Sequence, residues 1–262
     1  MRILITNDDG INARGLQTLE AIGAEIAGPD GEVVVVAPAF EQSGVGHCIS
    51  YTRPMLISEF APNRYAVEGT PADCVLAGIY DVSPDKPFDL ILSGINRGNN
   101  SAQNALYSGT LGAAIEGALQ GVLSIALSQY LGPDNYHADD PFDAAGQHGV
   151  AAIKRILNNR PPESDDYRLY YNVNFPPVAA KDVKGTRITS QGFRRDADFS
   201  VVPQESPTGR KYLWIKGGPQ HTPTLDGTDA NANVTGYISI TPMRADFSDH
   251  AEIKRLREAA EE

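Results

Sequence analysis

Met1-Arg2-Ile3-Leu4-Ile5-Thr6-Asn7-Asp8-Asp9-Gly10 is the stretch on which the fold turns. Ile3–Thr6 is short, continuous and apolar, and it ends abruptly in Asn-Asp-Asp-Gly. A continuous rather than alternating run predicts a strand buried on both faces, as in a parallel sheet covered by helices. Three similar runs follow at Val33–Ala37, Asp89–Ser93 and Ser124–Leu127, each bounded by Gly, Pro, Asn or Asp.

Helical patterns lie between them. Gly15–Ala27 carries Leu16, Leu19, Ile22 and Ile26 at helical spacing. Thr70-Pro71-Ala72-Asp73 predicts a helix start with Thr as N-cap, Pro at the first position and Asp at the third. Ser108–Val122 is a helix of small residues able to lie close to a sheet, and Pro141–Leu157 is a fourth helix. Met55–Ile57 and Tyr65–Val67, around Ala61-Pro62-Asn63, predict an inserted β-hairpin. Alternating strands and helices predict a doubly wound α/β fold over residues 1–160, a Rossmann-like α/β/α core with a mostly parallel sheet.

The pattern changes beyond Asn159. Pro161–Asp166 reads as a polar connector. Leu169–Val173, Tyr212–Ile215 and Tyr237–Thr241 read as strands, and Ala251–Glu262 as an exposed helical tail. Residues 161–262 are expected to form a β-rich C-terminal extension within the same globular unit, used for oligomer contacts or for closing the site.

Composition narrows the function. The 262 residues include 22 Lys and Arg against 33 Asp and Glu, a net charge of −11, with 41% hydrophobic residues. That balance disfavours duplex nucleic acid and anionic membranes as partners, but not a small phosphorylated ligand held by a local field. No apolar run reaches the ~20 residues of a membrane span, and the N-terminus does not resemble a signal peptide. The two cysteines, Cys48 and Cys74, give neither a disulfide framework nor a zinc spacing, and both are expected to be packing residues. A cytoplasmic location is expected.

In doubly wound folds, ligands collect at the carboxyl ends of the strands. The loops there are Asn7-Asp8-Asp9-Gly10, Pro38–Gly44 and Gly94–Asn100. They bring carboxylates, a hydroxyl and amides, hard oxygen donors suited to Mg²⁺, Mn²⁺ or Ca²⁺. Adjacent carboxylates repel unless a cation or protons intervene; the plain alternative for Asp8-Asp9 is a solvated turn with one Asp capping a helix. Convergence with Ser43 and Asn96 favours a metal site. Ser108-Gly109-Thr110 opens a helix, where N–H groups and the dipole favour an anion; the plain alternative is N-capping by Ser108. No P-loop, dinucleotide fingerprint or nucleophile elbow is present. The five histidines show no paired ligand spacing, and His47 and His221 are the ones best placed to meet the site.

Taken together, Thr6-Asn7-Asp8-Asp9-Gly10, Val36-Ala37-Pro38, Ser43-Gly44, Gly69–Cys74, Ser93-Gly94-Ile95-Asn96-x-Gly98-x-Asn100, Tyr107–Ala114 and Gly236–Pro242 resemble, in order, the motifs of the SurE family. These are stationary-phase survival proteins, metal-dependent 5′/3′-nucleotidases with exopolyphosphatase activity. The resemblance implies one divalent ion per subunit, Mg or Mn, held by Asp8, Asp9, Ser43 and Asn96. Asp8, Asp9 and Asn96 would carry the catalysis, and Asn7, Gly44, Asn100, Ser108, Gly109 and Thr110 would contact substrate. It also implies a homodimer or homotetramer with exchanged C-terminal segments. Two positions depart from the family pattern: Ala39 stands where Asp is usual, and Ala102 where Gly is usual.

The activity expected is hydrolysis of nucleoside 5′-monophosphates, extending to 3′-monophosphates and short polyphosphate, by water activated at the metal. A covalent aspartyl-phosphate route through Asp8 is the mechanistic alternative. The functional alternative is a nucleotide- or phosphate-binding sensor that keeps the site but not the catalysis.

Overall fold

Strand β1 (Arg2–Thr6) lies in the middle of the sheet, and Ile3, Leu4 and Ile5 are all 0% exposed. The computed structural model describes residues 1–160, 162, 166–195, 197–222 and 224–260. Most of the expected connector Pro161–Asp166, and the last two residues of the expected tail, fall outside them.

Around β1 stand β2 (Glu32–Pro38), β3 (Ile57–Ala61), β4 (Arg64–Val67), β5 (Leu90–Arg97) and β6 (Ser124–Gln129). β7 (Tyr170–Phe175), β8 (Thr186–Ile188) and β11 (Ile238–Met243) complete a nine-stranded sheet in the order β3-β4-β2-β1-β5-β6-β7-β11-β8. β9 (Ser200–Glu205) and β10 (Lys211–Lys216) form a separate antiparallel hairpin. β1 pairs in parallel with β2 on one side and β5 on the other, so their carboxyl ends open on one edge.

Period-two alternation along β1 fixes the layers. Ile3 and Ile5 join the cluster under α1 (Arg14–Ala27) and α4 (Asp143–Leu157). Leu4 joins the cluster with Val34, Val36, Cys74 and Val75 on the opposite face. There α2 (Pro71–Ala77) packs beside α3 (Gly109–Leu119). α2 starts as the sequence predicts: Thr70 Oγ1 accepts from the Asp73 N–H at 3.2 Å, and Asp73 Oδ2 accepts from the Thr70 N–H at 2.8 Å. The short α5 (Asp229–Val234) precedes β11, and α6 (His250–Ala260) is an exposed terminal helix with no buried residue.

Three details differ from the sequence reading. The hairpin β3–β4 is an extension of the main sheet, because β4 pairs in parallel with β2. Its turn at Pro62-Asn63 sets the pairing, so β3 begins at Ile57 while Met55 packs against the apolar core. The sheet also continues past residue 160: β7 pairs in parallel with β6, and β11 pairs antiparallel with β7, so only the β9–β10 hairpin stands apart. Cys74 is buried, as expected, but Cys48 is exposed, because it lies in the loop after β2 rather than in a regular element.

The small residues of α3 have a definite use. A methyl group on Gly112 would lie 2.3 Å from the Gly46 carbonyl oxygen, so the loop that carries Ser43 and Gly44 rests on the helix backbone. Gly112→Ala is therefore expected to lower stability by about 1–3 kcal/mol. Denaturant unfolding checks this; an unchanged midpoint would show that the loop is not seated on α3.

Candidate active site

The β1 carboxyl end is built by local bonds before any ligand is considered. Asn7 donates from Nδ2 to the Gly10 carbonyl at 2.9 Å and accepts at Oδ1 from the Gly10 N–H at 3.2 Å, closing the turn on itself. The Asp8 carbonyl accepts from the Gln42 N–H at 2.7 Å, and the Ile11 N–H donates to the Pro38 carbonyl at 2.8 Å. The loops after β1 and β2 are thus stitched together. Asn7 serves this turn with its side chain rather than reaching outward.

Asp8 is 4% exposed and meets the start of α3. Its Oδ1 accepts from the Thr110 hydroxyl at 2.8 Å and its Oδ2 from the Thr110 N–H at 3.2 Å. Ser108 caps the same helix, its Oγ accepting from the Leu111 N–H at 3.1 Å. Burial, and then the charge of Asp9, push the Asp8 carboxyl up to about 7, against the lowering effect of the Thr110 bonds. The buried acid therefore has helix donors but no counter-charge strong enough to hold it fully ionised.

Asp9 accepts from the Arg97 N–H at 3.0 Å. Burial raises its pKa, the Arg97 N–H opposes, and the nearby Glu41 charge adds to the rise. Asn96 donates from Nδ2 to the Gly98 carbonyl at 3.0 Å, which leaves its carbonyl oxygen available as an acceptor. Ser43 donates to Glu41 at 2.7 Å, and Gly44 sits beside it in an exposed turn with φ 77°. Asn100 is buried and internal: its Nδ2 donates to Ser128 at 2.9 Å and lies 3.3 Å from Thr110 Oγ1, while its N–H donates to Asn174 at 2.7 Å.

The expected residues do not all face one space. Asp9 and Ser43 line a cleft of about 800 Å³ together with Glu41, Arg97, Asn99 and Asn104. Tyr130, Tyr136 and Gln220 close other parts of that cleft. Ser108 faces a different cavity of about 400 Å³, which it shares with His47. Of the two histidines singled out, His47 is paired with Glu116 at 2.7 Å, and His221 stacks on Tyr130 with ring centroids 5.1 Å apart.

Several cleft residues escaped the sequence reading. Glu41 was visible in the loop after β2, three residues beyond Pro38, as a further carboxylate. Asn99 and Asn104 lie in an amide-rich stretch that could have drawn notice. Gln220 comes from the second half, and nothing in its local sequence marks it.

The donors that converge near the β1 end are two carboxylates and neutral oxygens. Among the described residues no three His, Cys, Asp or Glu side chains are grouped to hold a metal ion. A hard divalent ion is still compatible with the set, because Asp8 and Asp9 are adjacent, buried to different degrees and short of positive charge.

Fold and site together define a class: a Rossmann-like α/β protein with an acidic pair at the carboxyl end of its central strand, set against a helix N-terminus. Within that class, the chain belongs to the SurE family, whose model, described as Survival protein SurE, matches residues 3–198. It is 63% identical over 257 residues to the 5′-nucleotidase SurE of Ruegeria pomeroyi, covering 98% of this chain and 99% of that one. It is 62% identical over 250 residues to the 5′-nucleotidase SurE of Roseobacter denitrificans, covering 95% and 96%. The crystal structure of the SurE protein from Aquifex aeolicus matches with a TM-score of 0.79 at 34% identity, covering 99% of this chain and 100% of that one.

The raised Asp8 pKa has a signed consequence. The folded chain keeps a proton that the unfolded chain loses near the ordinary value of 3.8, so stability from this group is present below pH 4 and is lost as pH rises to about 7. In chelator-treated protein, Asp8→Asn should match wild type near pH 4 and exceed it near pH 8 by on the order of 4 kcal/mol. Denaturant titrations across that range check it. A flat difference would mean that Asp8 is ionised in the folded chain throughout.

Proposed function

We propose that this chain hydrolyses nucleoside 5′-monophosphates, as a divalent-metal-dependent phosphomonoesterase, with 3′-monophosphates and short polyphosphate as further substrates. The observation that carries the reading is the Asp8 carboxylate seated on the first turn of α3, with Asp9 and Ser43 lining the adjacent cleft. That relatives 62–63% identical over nearly the whole chain are 5′-nucleotidases supports it. The cleft volume is within the ~300–1,000 Å³ usual for small ligands.

Asp8, Asp9, Ser43 and Asn96 are assigned to hold one Mg²⁺ or Mn²⁺. When bound, such an ion supplies Lewis-acid charge stabilisation and makes water more acidic. The chain's own groups do the rest. Ser108 and Gly109, at the positive end of α3, are assigned to the phosphate oxygens, as are Gly44 and Asn96. Thr110, fixed to Asp8 by two bonds, orients that carboxylate. Asp9 lines the cleft and is assigned to take the proton of the attacking water. Asn7 and Asn100 act through the loop: one closes the β1 turn, the other ties α3 to β6 through Thr110 and Ser128.

The exposed β9–β10 hairpin carries Val201, Tyr212, Leu213, Trp214 and Ile215 on its surface. It is assigned to contacts between copies in a homodimer or homotetramer. Among the described residues no helix is long and apolar enough to cross a membrane.

Phosphate release from AMP and GMP, with Mn²⁺ and with a chelator, decides between enzyme and sensor. The enzyme reading predicts metal-dependent release, a loss of at least about a hundredfold in Asp9→Asn, and no phospho-enzyme. Nucleotide binding without release would favour the sensor, and a trapped phosphate on Asp8 would replace the water route with the covalent one.

A further inference from the structure

Arg194 is a cation in the interior: it is 1% exposed, among the largest fully buried side chains, and forms no ion pair within 4.0 Å among the described residues. Neutral acceptors hold it instead. Its Nη1 donates to the Ser101 carbonyl at 2.9 Å. Its Nη2 donates to Ser101 Oγ at 2.7 Å and to Asn99 Oδ1 at 3.0 Å. Its Nε donates to the Gln220 carbonyl at 3.1 Å. Burying a charge is costly unless its donors are satisfied, so a guanidinium in this place implies that its fork geometry is in use.

Two of these partners, Asn99 and Gln220, line the same cleft as Asp9 and Ser43, whereas Arg194 itself does not. Asn104, a third cleft residue, donates to Gln220 Oε1 at 2.7 Å. Arg194 thus ties three amides on the cleft wall, drawn from both halves of the chain, to one buried point.

A second clamp acts on the next residue. Ala102 has φ 53°, in the left-handed region that residues with a Cβ rarely adopt. Its N–H donates to Asp229 Oδ2 at 3.0 Å, and its carbonyl accepts from Gln191 Nε2 at 2.9 Å. Gln103 then brackets Arg194, accepting from its N–H at 2.9 Å and donating to its carbonyl at 2.7 Å. The segment from Asn99 to Asn104 is therefore held from outside along most of its length.

We propose that Arg194 is a positioning residue for substrate: through Asn99, Ser101 and Gln220 it sets the cleft wall that meets the nucleoside part of a nucleotide, apart from the phosphate-handling end at Asp8 and Asp9. This rests on the nucleotidase reading above. It concerns how tightly the nucleoside is held, so it acts on KM more than on kcat.

The test compares AMP with 4-nitrophenyl phosphate, an ester without a nucleoside, in the full chain with Mn²⁺. Arg194→Lys keeps the charge but loses the fork, and Ser101→Ala removes one of its acceptors in a small, buried position. For Arg194→Lys, KM for AMP should rise about tenfold, the scale of one buried hydrogen bond, with kcat within about threefold. The ratio of kcat/KM for AMP to that for the aryl ester should fall about tenfold, and about threefold in Ser101→Ala. A residue that only supports the fold would lower both substrates alike and leave the ratio unchanged, and that result overturns the proposal. If Arg194→Lys does not fold, the ratio in Ser101→Ala decides. If wild type releases no phosphate from AMP, the nucleotidase reading fails, and calorimetric AMP binding judges the clamp. A Kd weakened about tenfold in Arg194→Lys supports it; an unchanged Kd, or no AMP binding by wild type, overturns it.

Discussion

The contact between Asp8 and the first turn of α3 organises the site. A carboxylate with 4% exposure is set against the positive end of a helix, with Thr110 bonded to both of its oxygens. Helix N–H groups satisfy the hydrogen bonds but supply only partial positive charge. Asp9 stands next in sequence and adds repulsion. The arrangement is electrostatically incomplete, and a divalent cation is the simplest group that completes it.

The fold exists in this form because that contact requires exact neighbours. β1 must be central so that its end meets α3, and α3 must lie close, which its small residues permit. The loops after β1 and β2 are bonded to one another, and the second rests on α3 through Gly46. The net charge of −11 fits the same scheme. Among the described residues Arg97 and Arg14 line the cleft and no lysine does, so the proposed function has a small anion held there by few side-chain cations, with a divalent ion and main-chain N–H groups assigned the rest.

Much of this was legible in the sequence, and the reasons are particular. The continuous run Ile3–Thr6 pointed to a strand covered on both faces, and Thr70-Pro71-Ala72-Asp73 to a helix start capped by Thr70. Asp8, Asp9 and the Ser108–Thr110 turn stood out because their chemistry is local. What stayed hidden depends on distant pairings. Periodicity does not say that β7 and β11 continue the sheet, since a strand's neighbour is not encoded in its own pattern. Arg194 and Gln220 carry no motif; they become meaningful only when residues 99–104 are brought beside them. Ala102 looked like a simple departure from the family, and it proves to be an Ala held in a left-handed conformation by Asp229 and Gln191.

The claim that the Asp8–Asp9 pair is completed by a cation is tested most directly by proton counting. Mn²⁺ is titrated calorimetrically into chelator-treated protein near pH 6.5, in two buffers of different ionisation enthalpy. With Asp8 raised to about 7, a large part of the protein enters the titration protonated there. The account predicts one ion per subunit and release of roughly half to one proton per ion bound. Binding with no proton release, or no binding at all, would contradict it.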